Sequence, residues 1–592
     1  MIATAPTRLS TQLIFKRDAG GAPDLGYFRR RYPETVANFG TLPRREEWLR
    51  RVWEADARWR EGLETSGGTH RAEEVIVRGA PPAGSEVEGE FDVIYAGGVM
   101  GLLHAAVMAC SYGRRVLVFD AREVGRTRRD WNISEEELRE LERAGLFTSE
   151  EVEGSVVRRF RRGGFVKFHD AASRVKTGPL WVSGVLDASI EADRLLQLAA
   201  ARLRARGPQQ GCAMIDGLKF VRAYVEPARV TIETEDAWGR RHLFAARLFV
   251  DASGTDSTVA RQLGGGGAPT HVCPAVGTSA RGFAGGEGPD VVDFDAAEIL
   301  VSTEDAADHR QLVWGGFAGR AARGDYTTSL SFYDAVDSPA DKSLLALFEC
   351  YFESLPAYKR RGAQWRVERP VFGHAPIFRP RGWRAATASR RRTADDRVML
   401  VGAAAGASSP LTFGGFGAHA RGLGRLTHLT HLALEADLLD AASLSEVNAC
   451  GRRGAARAAS LAEFMRPMPK GAPSAVNETL NAAMAALHHL DERVRRELFQ
   501  DRLSFGALRS LLAHTARLYP RIFARVREHL GARGTLWWLA DIAGAVWSER
   551  RGRVSSSLSA AGDGTEESRE EDPVREFARR AALYKNSDGT DG

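Results

Sequence analysis

The stretch that most constrains the fold is 92–120, DVIYAGGVMGLLHAAVMACSYGRRVLVFD. Its spacing predicts strand, tight turn, helix and strand. Residues 92–95 are extended and mostly apolar, and Gly97, Gly98 and Gly101 permit a turn that a Cβ would obstruct. Residues 102–111 are small and apolar, as a helix packed on a sheet must be, and 115–119 form a second buried strand ending in Asp120. Such a turn lets backbone approach a pyrophosphate. The helix start offers free N–H groups and a positive dipole end, and the acid suits ribose hydroxyls. Against G-x-G-x-x-G, Ala96 replaces the first glycine while Gly98 and Gly101 keep their places. The acid falls at the usual offset of about twenty residues. A simple α/β packing turn is the competing reading.

The length of 592 residues predicts two or three compact units. Hydrophobic residues at 44 % and charged residues at 27 % describe a globular chain. The net charge of +6 comes from scattered arginines, with no basic block interleaved with aromatics. That argues against nucleic acid as a partner and leaves a mildly basic face for anionic lipid or a phosphorylated cofactor. Cys110, Cys212, Cys273, Cys350 and Cys450 are isolated. They read as buried thiols in a reducing compartment, with no disulfide or metal framework. The chain lacks a signal-like apolar core and any run of about 18 apolar residues. The expectation is a cytoplasmic protein, at most peripherally attached to a membrane.

Along the chain, 1–90 is expected as a helical extension and linker. An amphipathic helix over 45–63 carries Trp48, Val52, Trp59 and Leu63 on one face, and 64–90 is the linker. Ser134 and Glu137 form a capping box that opens a helix ending near Gly145, with Trp131 and Asn132 in the loop before it. A helix is expected over 186–206 and strands over 218–225, 229–235 and 242–249. The last strand runs into VDASGTDSTVAR at 250–261, a turn with Asp251 and Gly254 and a helix start carrying Arg261. Residues 271–394 alternate strands (311–314, 327–332, 367–371) with a helix over 341–355, as in an antiparallel substrate-binding sheet. Then VMLVGAAAGASSPLTFGGFGAHAR at 398–421 again sets small residues at a helix start. Residues 431–550 read as helical, including 475–490 and 517–530. In 534–547, Trp537, Trp538 and Trp547 are either interfacial anchors or internal packing. From 551 the Ser-, Gly- and Glu-rich chain is expected to be a disordered tail.

Taken in order, the dinucleotide turn, VDASGTDSTVAR and the 398–421 segment resemble the FAD-dependent superfamily of aromatic hydroxylases, geranylgeranyl reductases and lycopene cyclases. The AGGVMGLLHAAVMA turn, DWNISEEEL, SPLTFGGFG and ALEADLLDAASLSEVNA resemble one branch of it. That branch is the lycopene cyclases of green sulfur bacteria and cyanobacteria with their plant and cyanobacterial paralogues. The resemblance covers roughly 90–530. It implies an α/β fold with a Rossmann-like FAD-binding domain (91–270 and 395–430, with 218–249 inserted), a substrate sheet and a helical C-terminal region. FAD would be non-covalent. It would meet Ala96, Gly97, Gly98, Met100, Gly101, Asp120 and Arg122 at the first turn and Asp251 and Gly254 at the second. At the third it would meet Gly402, Ala403, Pro410, Gly414, Gly415, Phe416 and Gly417. NAD(P)H would act at most as a transient reductant.

The implied reaction is redox-neutral. Reduced flavin would stabilise a carbocation while an acid protonates an acyclic carotenoid end and a ring closes. A long isoprenoid hydrocarbon as substrate fits peripheral membrane attachment. Two positions depart from the pattern: Ala403 stands where an aspartate holds the ribityl chain, and Gly315 where relatives carry a carboxylate after the strand tryptophan. The remaining acid–base candidates are Asp325, Asp334, Glu368 and His374, with Asp334, at the end of TTSLSFYD, favoured. His419 and Arg421, on the helix after GGFG, could face the flavin or lie on an exposed helix face. Two other readings compete. One is a redox flavoenzyme, either a monooxygenase or an isoprenoid reductase. The other is a carotenoid-binding paralogue without chemistry. The W-x-W-x-I-P signature of flavin halogenases is absent from the sequence.

Overall fold

The computed structural model describes residues 23–67, 74–127, 130–255, 257–264, 268–285, 288–319, 324–378, 392–406, 411–412, 414–449, 452–468, 471–536, 538–540 and 572–587. The chain opens with helices α1 (Leu25–Arg31), α2 (Pro33–Asn38) and α3 (Arg45–Gly67). Next come β1 (Ile76–Arg78), β2 (Gly89–Ala96), α4 (Met100–Tyr112) and β3 (Val116–Asp120). β4 (Asp130–Ile133) leads into α5 (Glu135–Arg143), α6 (Ser149–Ser155) and β5 (Val156–Arg159). β6 (Gly164–Lys167), β7 (Leu180–Val182) and β8 (Ala188–Glu191) precede α7 (Ala192–Arg206). β9 (Ala213–Asp216), β10 (Lys219–Val225), β11 (Val230–Glu235) and β12 (Arg241–Asp251) run into α8 (Thr258–Leu263). β13 (His271–Phe283), β14 (Ala297–Val301), β15 (Val313–Ala318), β16 (Tyr326–Ser331) and β17 (Asp334–Ala335) come before α9 (Leu344–Tyr358) and β18 (Arg361–Ile377). β19 (Ala394–Asp395) and β20 (Val398–Leu400) lead to α10 (Gly415–Glu435). Further helices include Ala475–His488, Phe505–Leu518 and Pro573–Ser587.

These elements build three sheets. The nine-stranded sheet runs β1-β10-β11-β12-β2-β3-β9, with β20 beside β12 and β19 beside β20. Its centre, β20-β12-β2-β3-β9, is parallel, and α4 and α7 pack together on one face. The central strands are apolar on both sides because both faces are covered, as parallel sheets require. The second sheet runs β17-β13-β16-β15-β14-β6-β7, with β18 on β13. Helix α9 covers one of its faces, burying Val276, Trp314 and Leu330. The third, β4-β8-β5, is tied to the second where Ser189 Oγ donates to the Ala318 carbonyl at 2.9 Å.

Several sequence expectations change. The expected linker over 64–90 contains β1, whose apolar Ile76 and Val77 pair in parallel with β10. The DWNIS loop is a strand, β4, because β8 offers it a partner edge. For the same reason 188–191 is β8, and the helix expected from 186 starts at Ala192. The helix expected over 341–355 spans 344–358, with Ser343 accepting the Ala346 N–H as its cap. The helix expected through 517–530 is broken at Pro520 and resumes at 522, since proline lacks the N–H that would continue the ladder. The expected disordered tail contains the helix Pro573–Ser587. Its Phe577 and Ala581 are buried against α10, and the Tyr584 hydroxyl meets His428 Nδ1 at 2.9 Å. That apolar stripe is diluted in the Ser/Glu-rich composition around it. Residues 541–571 lie outside the described residues, as do Trp537, Trp547 and Cys450. Trp538 packs edge-on to Phe464, which makes it a packing residue.

Candidate functional site

Ala96, Asp251 and Leu400 align across the adjacent parallel strands β2, β12 and β20. Each strand ends there and turns. The Ala252 N–H donates to the Ala96 carbonyl at 2.8 Å, and the Val401 N–H to the Asp251 carbonyl at 2.9 Å. Three glycine-bearing turns that are far apart in sequence thus meet at one edge. The crevice outside the carboxyl ends of such strands is where open α/β sheets bind ligands.

The first turn has Gly97 at φ +111°, and a Cβ there would stand 2.4 Å from the Ala252 carbonyl oxygen. A Cβ on Gly98 would stand 2.8 Å from Val124 Cα, and one on Gly101 3.2 Å from Ala252 Cβ. The three glycines expected to admit a pyrophosphate are therefore required first by the close approach of the neighbouring loops. Ala96 is buried and contributes its carbonyl. Helix α4 begins with no side-chain cap on its first N–H groups, and Met100 is half-buried at the rim. Asp120 accepts the Gly98 N–H at 2.7 Å and the Arg122 N–H at 2.8 Å, so both carboxylate oxygens are held at the rim with lone pairs to spare. Arg122 acts here through its backbone.

At the second turn Asp251 is buried, and burial pushes its carboxyl up. It accepts the Ser253 N–H at 2.8 Å and the Ser257 hydroxyl at 2.5 Å, and Ser257 in turn caps α8. Asp251, expected against the cofactor, is the anchor of the turn. Gly254, at φ +95°, is the part that faces open space. At the third turn Gly402 has φ +65° and Ala403 is exposed. Pro410 and Phe413 lie outside the described residues. Helix α10 starts at Gly415 with no side-chain cap from Gly414, and both glycines are half-open. Phe416 is buried under Trp131, with ring centroids 4.0 Å apart. A Cβ on Gly417 would overlap the Glu137 carboxylate. Phe416 and Gly417, expected at the cofactor, are thus spent on packing β4 and α5. Sequence reasoning missed Asp501, a buried acid at φ +59° that accepts from Thr412 Oγ1 at 2.7 Å and borders Gly414.

The second sheet turns one face toward this region. Register aligns Val371, Gly277, Ser329 and Gly315 in one row across β18, β13, β16 and β15. A Cβ on Gly315 would meet Ser329 Oγ at 3.1 Å, so these positions share a face, the one opposite α9. Ser329 is exposed although its strand is central, because neither glycine beside it carries a side chain. The row is a shallow trough. Leu411, just before α10, belongs to the same buried cluster as Val313, and Arg369 on the same face lies 3.9 Å from Asp130 of β4.

The four candidate acids are all engaged. Asp334 is buried between Lys342 at 3.2 Å and Arg466 at 3.5 Å, with the Ser338 hydroxyl and the Ala335 N–H also donating to it. Asp325 lies 3.6 Å from Arg281. Burial raises the Glu368 carboxyl, but hydrogen bonds from Arg366 and Arg281 hold it below the usual range. His374 meets the Lys342 carbonyl at 2.8 Å and stacks on Trp59. Arg421 pairs with Glu137 and donates to the Gln500 carbonyl at 2.6 Å. Among the described residues no group of three or more His, Cys, Asp or Glu could hold a metal, and no helix is long and apolar enough to cross a membrane.

No family model matches the chain, and no curated protein matches it in sequence. Among solved structures it is similar to the halogenase PltM in complex with phloroglucinol and FAD. The identity is 15 %, over 84 % of this chain and 99 % of that chain, with a TM-score of 0.50. It is also similar to a geranylgeranyl bacteriochlorophyll reductase-like protein from Thermoplasma acidophilum. There the identity is 15 %, over 74 % of this chain and 99 % of that chain, with a TM-score of 0.48. At such identities the likeness is one of fold, and the first of them carries it: the chain has the α/β fold of that FAD-bound halogenase structure, with two large sheets and a helical C-terminal region.

Proposed function

We propose that this chain binds FAD non-covalently along the three turns and is an FAD-dependent enzyme for an extended apolar substrate. One observation carries the reading. Turns 97–99, 252–255 and 401–406 meet at the ends of adjacent parallel strands, beside an uncapped helix start and a rim carboxylate. A dinucleotide fits that set. Backbone N–H groups suit its phosphates, Asp120 its ribose hydroxyls, and the open space at Gly254 its bulk. Bound FAD would supply the redox-active or charge-stabilising ring, with NAD(P)H as a transient reductant. The chain's own part is to orient the substrate along the Val371–Gly277–Ser329–Gly315 row.

Within that reading, the reaction the family resemblance favours is redox-neutral cyclisation of an acyclic carotenoid end group, with Asp334 as the acid. A trough of small residues suits a flat polyene. A second reading, an FAD-dependent oxidoreductase such as an isoprenoid reductase, is favoured by the partners of the candidate acids, each tied to a cation or a backbone carbonyl. Loading from a membrane surface is supported by the helical segment after Pro520. Phe523, Leu536 and Leu539 are exposed there beside Arg521, Arg527 and Arg533.

The test has two parts. Purified protein should carry the visible absorption of flavin. Expressed in a lycopene-accumulating bacterium, it should yield a cyclic carotene, lost in Asp334→Asn if that residue is the acid. Stoichiometric NAD(P)H consumption per product would replace the cyclase with the reductase. Unchanged pigment from soluble, flavin-loaded protein would replace both with a binding paralogue.

A further inference from the structure

Three buried ring nitrogens at the junction of the turns make no hydrogen bond of normal geometry among the described residues. Tyr95, on β2, meets His104 Nδ1 at 2.8 Å through its hydroxyl. His104 lies on α4, one turn in from its start. His104 Nε2 and both nitrogens of His419 are buried and make no hydrogen bond. His419 is only 3 % exposed and sits one turn into α10. Its Nδ1 lies 3.8 Å from the point where a Cβ on Gly402 would stand, and Met100 Cβ lies 3.7 Å from the same point. The ring approaches the Met100 backbone in a geometry short of a hydrogen bond. It therefore stands where the start of α4, the Gly402 turn and the first turns of α10 converge.

Burial of unpaired polar atoms is costly, and a core of this kind would accept leucine at both sites. The charges nearest along α10 and α5, Arg421 and Glu137, are taken up with each other. Burial holds His419 down to about 4 and His104 to about 3, so both rings are neutral near pH 7 and each has one N–H to donate. Where the Tyr95 hydroxyl donates to Nδ1, His104 carries its proton on Nε2, and in the other tautomer Nδ1–H donates to the hydroxyl. A neutral imidazole at a helix N-terminus is a donor that adds no charge to an already positive dipole end.

We propose that His419 is a cofactor anchor, donating from Nδ1 to the polar diphosphate–ribityl part of the dinucleotide where the Met100 and Gly402 turns meet, with the Tyr95–His104 pair on the neighbouring strand and helix. The inference rests on the FAD reading above. It gives the third turn a polar contact although Ala403 supplies none. The ligand class is an anionic or polyhydroxyl acceptor that needs uncharged donors.

The experiment is titration of flavin-free full-length protein with FAD, followed by flavin fluorescence and calorimetry, for wild type, His419→Leu and His419→Asn. The asparagine amide stands in for Nδ1. His419→Leu should weaken FAD by about tenfold or more, the scale of one lost buried hydrogen bond. His419→Asn should recover most of that loss. The flavin-free His419→Leu protein should melt at or above the wild-type temperature, since an unpaired polar group has been removed. Wild-type affinity in His419→Leu overturns the proposal, as does a fall in its flavin-free melting temperature, which would mark a structural role. Should the leucine variant not fold, histidine-selective ¹⁵N spectra of wild type decide. Ring signals of His419 that shift on adding FAD support the anchor, and unmoved signals overturn it. Wild type that takes up no FAD at any concentration overturns the flavoprotein reading itself, a result separate from any difference between variants.

Discussion

A Cβ on Gly417 would stand 2.4 Å from Oε1 of Glu137. Glu137 completes the capping box of α5, accepting the Ser134 N–H at 2.9 Å while its own N–H donates to Ser134 Oγ at 3.3 Å. The same carboxylate pairs with Arg421 one turn along α10. One glycine thus lets a helix cap, a buried ion pair and the Trp131–Phe416 stack occupy one contact between α5, β4 and α10.

Gly417→Ala should destabilise the protein by about 1–3 kcal/mol, because the added methyl must displace a carboxylate that both caps α5 and pairs with Arg421. The cost should shrink when Glu137→Ala is already present. Chemical denaturation of the two single variants and the double variant measures that coupling, and additive effects would contradict the contact.

Asp56 on α3 caps a helix in a distant part of the chain. It accepts the Leu344 N–H at 2.7 Å, the Leu345 N–H at 3.3 Å and the Ser343 hydroxyl at 2.7 Å. Glu349 of α9 returns the favour to α2, accepting the Glu34 and Thr35 N–H groups at 2.9 Å each. Asp56→Ala should cost about 1–2 kcal/mol or more, since it removes a cap and strands buried donors. Hydrogen exchange should rise in α9 and in α1–α3 together and leave the nine-stranded sheet unchanged.

Ser329→Trp fills the trough on the second sheet. The position is exposed, so stability should change by less than about 1 kcal/mol. Flavin affinity should stay as in wild type while turnover or ligand binding falls at least tenfold. Equal loss of both would place the trough inside the cofactor site.

Ala403→Asp adds a carboxylate at an exposed position beside Gly402. The FAD dissociation constant should fall about tenfold, equivalent to about 1.4 kcal/mol. Calorimetry that shows no gain would mean that this turn meets the cofactor only through its backbone.

Acid should weaken the fold through two histidines. His104 and His419 are held by burial at about 3 and about 4, against 6.5 for a free imidazole. Between those values the unfolded chain binds more protons, so their contribution is complete above about pH 6.5 and is lost as pH falls toward 4 and 3. Each adds a slope of about 1.4 kcal/mol per pH unit in that window. Burial raises the carboxyls of Asp251 and Asp56, which act in the opposite sense and favour the fold as pH falls. Comparing wild type with His419→Leu cancels those terms. Urea midpoints of the variant from pH 7 to pH 4.5 should decline less steeply, by about one proton's worth.

The strand–turn–helix of 92–120, the Ser134–Glu137 capping box, strands β10 to β12 and the helix start at α10 were legible because each is written within a few residues as an apolar period, a cap or a glycine. β4, β8 and β1 were not, because a short strand is stable only against an edge that another part of the chain supplies. The helix Pro573–Ser587 was missed for a similar reason, its stripe of Phe577, Ala581 and Tyr584 being meaningful only against α10.

By itself the sequence determined an α/β core with three glycine-bearing turns, the order of those turns and the acid at the end of β3, since these depend on local spacing. Only the tertiary structure decided what those residues touch. Gly97 faces the Ala252 carbonyl, and Gly417 faces Glu137, which pairs with an arginine 284 positions away. Asp334 is enclosed by two cations, the trough arises from the register of four strands, and His419 is left without a hydrogen bond of normal geometry. The physical reason is that contact and burial depend on the approach of segments hundreds of residues apart, and that approach leaves no periodicity or spacing in the chain to read.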